Sequence, residues 1–109
     1  MKITDMVPVE YSWRRPRPIR NGKYTYADAG LGLVRIETDE GVTGLGLGSV
    51  GPGFEAFKQL LIGEDPLNVE RLWDNMWQPK LVGRRGLTTR TLSTIDIGLW
   101  DIRGKVAGM

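Results

Sequence analysis

The apolar positions of this chain change their period once, and that change divides it into two layers. From Lys2 to Trp13, Ile3, Val7, Val9 and Tyr11 form a broken alternation that predicts a strand, and Pro8, which has no N–H to offer a neighbour, marks an edge position. From about Leu31 to Thr38, Val34 and Ile36 fall on one face and Arg35 and Glu37 on the other, as in a sheet with one wet side. Asp39-Glu40-Gly41 supplies a hairpin turn in which glycine takes a positive φ, and Val42 to about Leu47 forms a third strand. Between the first two strands, Trp13 to Lys23 carries two prolines, one glycine and five cations and predicts a loop. From Gly53 onward the spacing becomes helical. Phe54, Phe57, Leu60 and Leu61 line a short helix stopped by Gly63 and Glu64-Asp65-Pro66. Val69, Leu72, Trp73, Met76 and Trp77 make an amphipathic stripe that turns two tryptophans inward and ends at Pro79. A longer helix runs from Leu87 or Thr88 to Ala107 with Leu92, Ile95, Leu99, Ile102 and Val106 inward, and its Gly98 and Gly104 predict close backbone approach. The expected fold class is α+β: a three-stranded antiparallel meander followed by a three-helix layer.

The 109 residues make one domain, and the composition is that of a folded globule. The absence of Cys and His excludes disulfides, zinc fingers, a thiol nucleophile and an imidazole base. A reducing, cytoplasmic location is expected, with no apolar leader in the first 25 residues. The longest uncharged stretch, Gly41 to Phe54, holds six glycines and a proline and does not predict a membrane span. A net charge of +2 is too small a field to imply nucleic-acid binding.

Four motifs bear on chemistry. Gly46-Leu-Gly48-Ser-Val-Gly51 fits G-x-G-x-x-G, yet a second helix follows where a parallel βαβ unit needs a strand, and Pro52 interrupts the loop. A glycine-rich connection is the favoured reading over a dinucleotide site. The basic segment with Arg14, Arg15, Arg17 and Arg20, flanked by Trp13, Tyr24 and Tyr26, suits a solvated loop or a lid over an anionic small molecule better than a nucleic-acid surface. Asp96 and Asp101, five residues apart on one helix, fall off a common face and do not form a carboxylate pair. Asp96 is expected to be half-buried, accepting bonds from backbone amides or from Arg90 or Arg103. Gly83-Arg84-Arg85-Gly86 occupies an inter-helix turn, where its arginines bind an acid or face water.

Thr38-Asp-Glu-Gly-Val-Thr-Gly44, Gly63-Glu-Asp-Pro-Leu67, Glu70-Arg-Leu-Trp73, Met76-Trp77 and above all Ser93-Thr-Ile-Asp-Ile-Gly-Leu-Trp-Asp-Ile-Arg-Gly-Lys105 resemble the mandelate racemase and muconate lactonizing enzyme family, specifically its N-terminal capping domain, across essentially the whole chain. The resemblance implies an enolase N-terminal domain-like fold over residues 1–109, with the catalytic (β/α) barrel outside this chain as its partner. It implies Mg²⁺ and proton-abstracting bases in that barrel, where the metal stabilises an enediolate formed by loss of the proton α to a substrate carboxylate. No cofactor, metal ligand or catalytic residue carries over to this chain, which has no Lys-x-Lys pair, and the chain alone is expected to be inactive. What carries over is a cap that closes the barrel mouth through two segments, Trp13 to Tyr26 and Leu45 to Pro52. Trp13, Arg14, Arg20, Leu45 and Leu47 are the expected substrate contacts. The arginines suit an anionic acid sugar, and with the Gly-Arg-Arg-Gly turn they look more like the family's acid-sugar dehydratases than its muconate cycloisomerases, while nothing in these residues separates a dehydratase from a racemase. A homo-oligomer is expected, with no nucleic-acid or membrane partner, and so is an exposed apolar surface in the isolated chain. The alternatives are a stand-alone α+β binding module using residues 13–26 for an anion or single-stranded nucleic acid, and a self-associating structural domain with Ile97 and Trp100 off its main stripe.

Overall fold

A computed structural model describes residues 1–22, 24–51, 53–77 and 87–108. The elements run β1 (Ile3–Asn21), β2 (Tyr24–Thr38), β3 (Thr43–Leu47), α1 (Phe54–Leu61), α2 (Val69–Met76) and α3 (Leu87–Val106). The strands form one antiparallel sheet in the order β1-β2-β3, and the helices cover one of its faces. The expected α+β meander with a helical layer is the observed architecture.

The sheet departs from the sequence reading in its length. Residues 13–22 are not a loop: β1 continues to Asn21 and turns at Gly22, with φ 55°, into β2. Arg14 pairs with Asp28 and Ile19 with Tyr26, so the register slips between them, and Pro16 and Pro18 fall in the slipped stretch. Proline is tolerated there because β1 is an edge strand and those positions owe no ladder hydrogen bond. β3 pairs only with Leu33–Glu37, so the distal part of the β1–β2 hairpin projects beyond it as a two-stranded arm.

A second irregularity decides which β1 residues enter the core. Ile3 pairs with Thr38 and Asp5 with Glu37, leaving Thr4 as the extra residue of a bulge. Ile3 and Met6, three apart, therefore share the buried face, while Val7 and Val9 are only partly buried and Tyr11 is exposed. Beyond the bulge, Val7, Val9, Tyr11 and Trp13 align with Arg35, Leu33, Leu31 and Ala29, and Leu45 and Leu47 pair with Arg35 and Leu33. These residues form the face of the sheet turned away from the helices. Tyr11, Trp13, Leu31, Leu45 and Leu47 are all exposed on it, which is the apolar surface expected of the isolated chain.

The core lies between Ile3, Met6, Val34 and Ile36 of the sheet and Phe54, Phe57, Leu61, Val69, Leu72, Met76, Leu92, Ile95, Leu99 and Ile102 of the helices. Three helical details correct the periodicity. Trp73 is only partly buried and Trp77, just past α2, is 47% exposed. The two stack on each other, with centroids 5.9 Å apart and planes 8° apart, and do not both enter the core. Val106 is 46% exposed, because Ile102 already reaches Gly44 near the start of β3 and the next turn of α3 has no sheet beneath it. Gly104 has nothing within 4 Å of where a Cβ would stand, so close packing is not its reason. Gly98 meets the expectation: a Cβ there would lie 2.8 Å from Ile36 Cδ1 and 3.3 Å from Gly46 N. Gly44 and Gly46 press on α3 from the other side, so helix and strand meet backbone to backbone. Pro52, Pro79 and the Gly83–Gly86 turn lie outside the described residues, as do the side chains of Tyr24 and Tyr26.

Candidate functional site at the base of the hairpin arm

Gly48, just past β3, packs against Gly32 and brings the connection after β3 against β2. Gly48 N–H donates to the Gly32 carbonyl at 3.0 Å, and Thr94 Oγ1 of α3 donates to the Ser49 carbonyl at 2.7 Å. The Gly46–Gly51 motif therefore serves as an anchored exit from an antiparallel edge strand, as the sequence context argued. At the base of the arm this connection and the hairpin enclose an open groove of about 670 Å³ lined by Glu10, Tyr11, Ser12, Gly30, Leu31, Gly32, Gly48, Ser49 and Val50. Three of these residues are glycines, so a ligand can approach main chain, and Ser12 and Ser49 add hydroxyls that donate and accept.

The expected contact residues are distributed over three places. Trp13, 52% exposed, and Leu45 and Leu47 lie on the sheet face away from the helices. Arg14 is exposed on β1 two residues beyond Ser12, and alternation puts Glu10, Ser12 and Arg14 on one side of the strand. Arg20 sits near the arm tip opposite Thr25. None of the five lines the groove, although Trp13 and Arg14 follow its wall residues along β1. Leu47 instead borders a second cleft of about 560 Å³ with Trp77, Arg90, Thr94 and Ile97. Glu10, Ser12 and Ser49 were missed. Continuing the strand alternation through Trp13 would have aligned Glu10 and Ser12 with Arg14. Arg15 is tied down, its Nε donating to the Asp28 carbonyl at 3.1 Å.

Charged groups elsewhere do structural work. Asp101 Oδ2 accepts Leu45 N–H at 2.9 Å and pairs with Lys105 at 3.0 Å, while Lys105 Nζ donates to the Thr43 carbonyl. Two outward main-chain groups of edge strand β3 are thereby satisfied from α3. The Leu45 amide first, and Lys105 in addition, hold the Asp101 carboxyl below its ordinary range. Asp5 is likewise lowered, by Lys58 Nζ at 3.1 Å and then by the Met6 amide. Asp96 is half-buried as expected, but among the described residues nothing donates to it, and burial raises its pKa. Arg103 does not reach it. Two helical turns away, the guanidinium instead lies over the Trp100 ring, 4.9 Å from the centroid. Among the described residues no three carboxylate, His or Cys groups come together to hold a metal ion, and no helix is long and apolar enough to cross a membrane.

Residues 3–109 match the family of the mandelate racemase / muconate lactonizing enzyme N-terminal domain. The chain belongs to that family. It is 36% identical over 114 aligned positions to a D-galactarolactone cycloisomerase of Agrobacterium fabrum, covering 99% of this chain and 30% of that enzyme. The L-talarate dehydratase of Polaromonas sp. JS666, solved with Mg and L-glucarate, superposes with a TM-score of 0.81 at 31% identity, covering 98% of this chain and 33% of that one. A 3,6-anhydro-D-galactonate cycloisomerase from Zobellia galactanivorans gives a TM-score of 0.80 at 28% identity, covering 98% and 29%. The chain thus spans about a third of the length of these relatives. Acid-sugar dehydratases and cycloisomerases are among its relatives.

Proposed function

We propose that this chain is the capping and specificity domain of an enzyme that abstracts the α-proton of an acid-sugar carboxylate, a dehydratase in which the β-hydroxyl then leaves as water. The observation that carries the reading is the groove between the base of the hairpin arm and the connection after β3, because the second of the two cap segments walls it and the first begins directly beside its Ser12. In this reading the groove takes the polyol part of the ligand. Ser12 and Ser49 hydroxyls and the glycine backbone exchange hydrogen bonds with sugar hydroxyls, and Glu10 accepts from one of them. Arg14, on the same side of β1, meets a carboxylate, while Trp13, Leu45 and Leu47 on the opposite face of the sheet and Arg20 near the arm tip contact the ligand from outside the groove. Closure expels water, which strengthens each of these charge contacts.

The chemistry belongs to a (β/α) barrel supplied with the rest of the enzyme, which assembles as a homo-oligomer. In this reading the Mg²⁺ belongs to the barrel, and no step is routed through the residues of this chain. The test is to join the chain to a family barrel and assay a panel of aldarates and aldonates for keto-acid formation. Turnover by the joined protein, with KM raised about tenfold or more by Arg14→Ala as a lost charged hydrogen bond predicts, supports the proposal. Equal turnover by the 109-residue chain alone overturns it.

A further inference from the structure

Strand β1 leaves a short stretch of main chain open to pairing beside the proposed substrate groove. Gly48 N–H donates to the Gly32 carbonyl, and in the register of β2 with β3 this turns the main chain of even-numbered β2 residues toward β3 and of odd-numbered ones toward β1. Through the register of β2 with β1, Asp5, Val7, Val9, Tyr11 and Trp13 then bond to β2, and the main chain of Met6, Pro8, Glu10, Ser12 and Arg14 faces outward. Much of that edge is closed. Ile3 donates to the Glu64 carbonyl at 2.9 Å and accepts from Gly63 N–H at 2.8 Å, Met6 N–H donates to the Asp5 carboxylate at 2.8 Å, and Pro8 and Pro16 have no N–H. Between the prolines, Glu10, Ser12 and Arg14 are exposed, and among the described residues no hydrogen bond reaches their outward main-chain groups. We infer that this stretch pairs antiparallel with the same stretch of a second copy of the chain, about a two-fold axis at Ser12, joining the two sheets into one.

The sequence around Ser12 is complementary to its own reverse. With Ser12 opposite the partner's Ser12, Glu10 stands opposite the partner's Arg14 and Arg14 opposite the partner's Glu10, in pairs that exchange main-chain hydrogen bonds and set opposite charges side by side. Tyr11, 56% exposed, stands opposite the partner's Trp13, and Trp13, 52% exposed, opposite the partner's Tyr11. These fall in the alternate, non-hydrogen-bonded positions, where side chains approach most closely, and cover each other on the outer face. Pro8 falls opposite the partner's Pro16, so the ladder ends where neither strand has a donor. Moving the axis to residue 10 or to residue 14 opposes two glutamates or two arginines and sets Ser12 against a proline. The pairing is therefore specific to one register and to this chain as its own partner. Glu10 also lines the groove, so the partner's Arg14 comes to stand at the groove wall and each groove is completed by the other copy. That consequence rests on the proposed substrate reading, whereas the pairing does not.

The test is sedimentation of the 109-residue chain over a wide range of concentration, as the parent and as charge variants. A dimer is expected. Glu10→Arg or Arg14→Glu raises its Kd about tenfold or more, because each puts like charges opposite at two symmetric places, and combining the two substitutions restores the parent value. Ser12→Cys is an independent probe, since the chain has no other cysteine and the Cα atoms of a hydrogen-bonded pair stand about 5.5 Å apart, within disulfide range. It is expected to give a disulfide-linked dimer on mild oxidation, while Leu47→Cys, on the outer face of the sheet, stays unlinked. The proposal is overturned by a monomer at every concentration or by a double variant no tighter than the single ones. Linking of Leu47→Cys in preference to Ser12→Cys also overturns it, since the copies would then be stacked through their sheet faces. In the protein joined to a barrel, a KM that responds to Arg14→Ala in a monomer overturns the pairing and leaves the substrate reading standing. A dimer whose KM is indifferent to Arg14→Ala supports the pairing and contradicts the substrate reading.

Discussion

Gly46→Ala tests the backbone contact between strand β3 and helix α3, on which the helical layer is seated. A Cβ at position 46 would stand 3.0 Å from the Gly98 nitrogen and 3.0 Å from the Thr94 carbonyl carbon, and nearer still to the Thr94 carbonyl oxygen. Ordinary carbon contacts lie at roughly 3.5–4.0 Å, so strand and helix must part by at least about 0.5 Å. The obstructing atoms are helix main chain, which cannot rotate out of the way as a side chain can. Overpacking costs typically about 1–3 kcal/mol, and this geometry places the change at the upper end, about 3 kcal/mol. For a domain of this length each kcal/mol moves Tm by roughly 4–8 °C, so a fall of at least about 12 °C is expected. Gly104→Ala is the matched control on the same helix: nothing stands within 4 Å of its new methyl group. Replacing a helical glycine there gains up to about 1 kcal/mol, and Tm rises. Thermal melts followed by circular dichroism compare the two. A Gly46→Ala melt within about 4 °C of the parent, or a Gly104→Ala melt that falls as far as Gly46→Ala, would refute the packing argument.

The two aspartates of α3 should give opposite pH dependences. Asp101 has a depressed pKa in the fold, so its stabilisation is present above the ordinary aspartate value of 3.8 and is lost as pH falls through the folded value; Asp101→Asn should lower Tm at neutral pH and converge on the parent in acid. Asp96 has a raised pKa, so the fold loses stability as pH rises from 3.8 through the folded value and carries the full burden above it; Asp96→Asn should raise Tm at neutral pH and leave it unchanged below 3.8. Asp101→Ala should also free the Leu45 amide, at a cost of about 1 kcal/mol or less for so exposed a group, and hydrogen exchange at Leu45 should speed up while Ile36 keeps its protection. Unchanged exchange at Leu45 would show that Asp101 does not guard the edge of β3.

Most of the fold is legible in the sequence because period and burial agree wherever an element has one buried face. Val34 and Ile36, and Leu92 through Ile102, enter the core as their spacing requires. The misreadings have local physical causes. The bulge at Thr4 shifts β1 by one residue and exchanges its faces, so Ile3 and Met6 are buried where simple alternation favoured Val7 and Tyr11. Residues 13–22 read as a loop because prolines and cations are poor strand formers, yet an edge strand has no partner on one side and tolerates both. The same misreading hid the groove wall, since Glu10 and Ser12 join Arg14 on one side only when the strand is continued. Asp101 was considered only as half of a carboxylate pair. Its role depends on β3 lying beside α3, a contact 56 residues apart in sequence that local pattern does not encode.

The central claim is that these residues close a substrate site whose reactive groups reside on another domain. Keto-acid formation from a panel of acid sugars, measured for the 109-residue chain alone and for the same chain joined to a family barrel, tests it most directly. The account predicts no turnover by the chain alone, turnover by the joined protein, and a KM that responds to changes at Ser12, Arg14 and Ser49. Turnover by the isolated chain, or a joined protein whose KM is indifferent to all three, would contradict it.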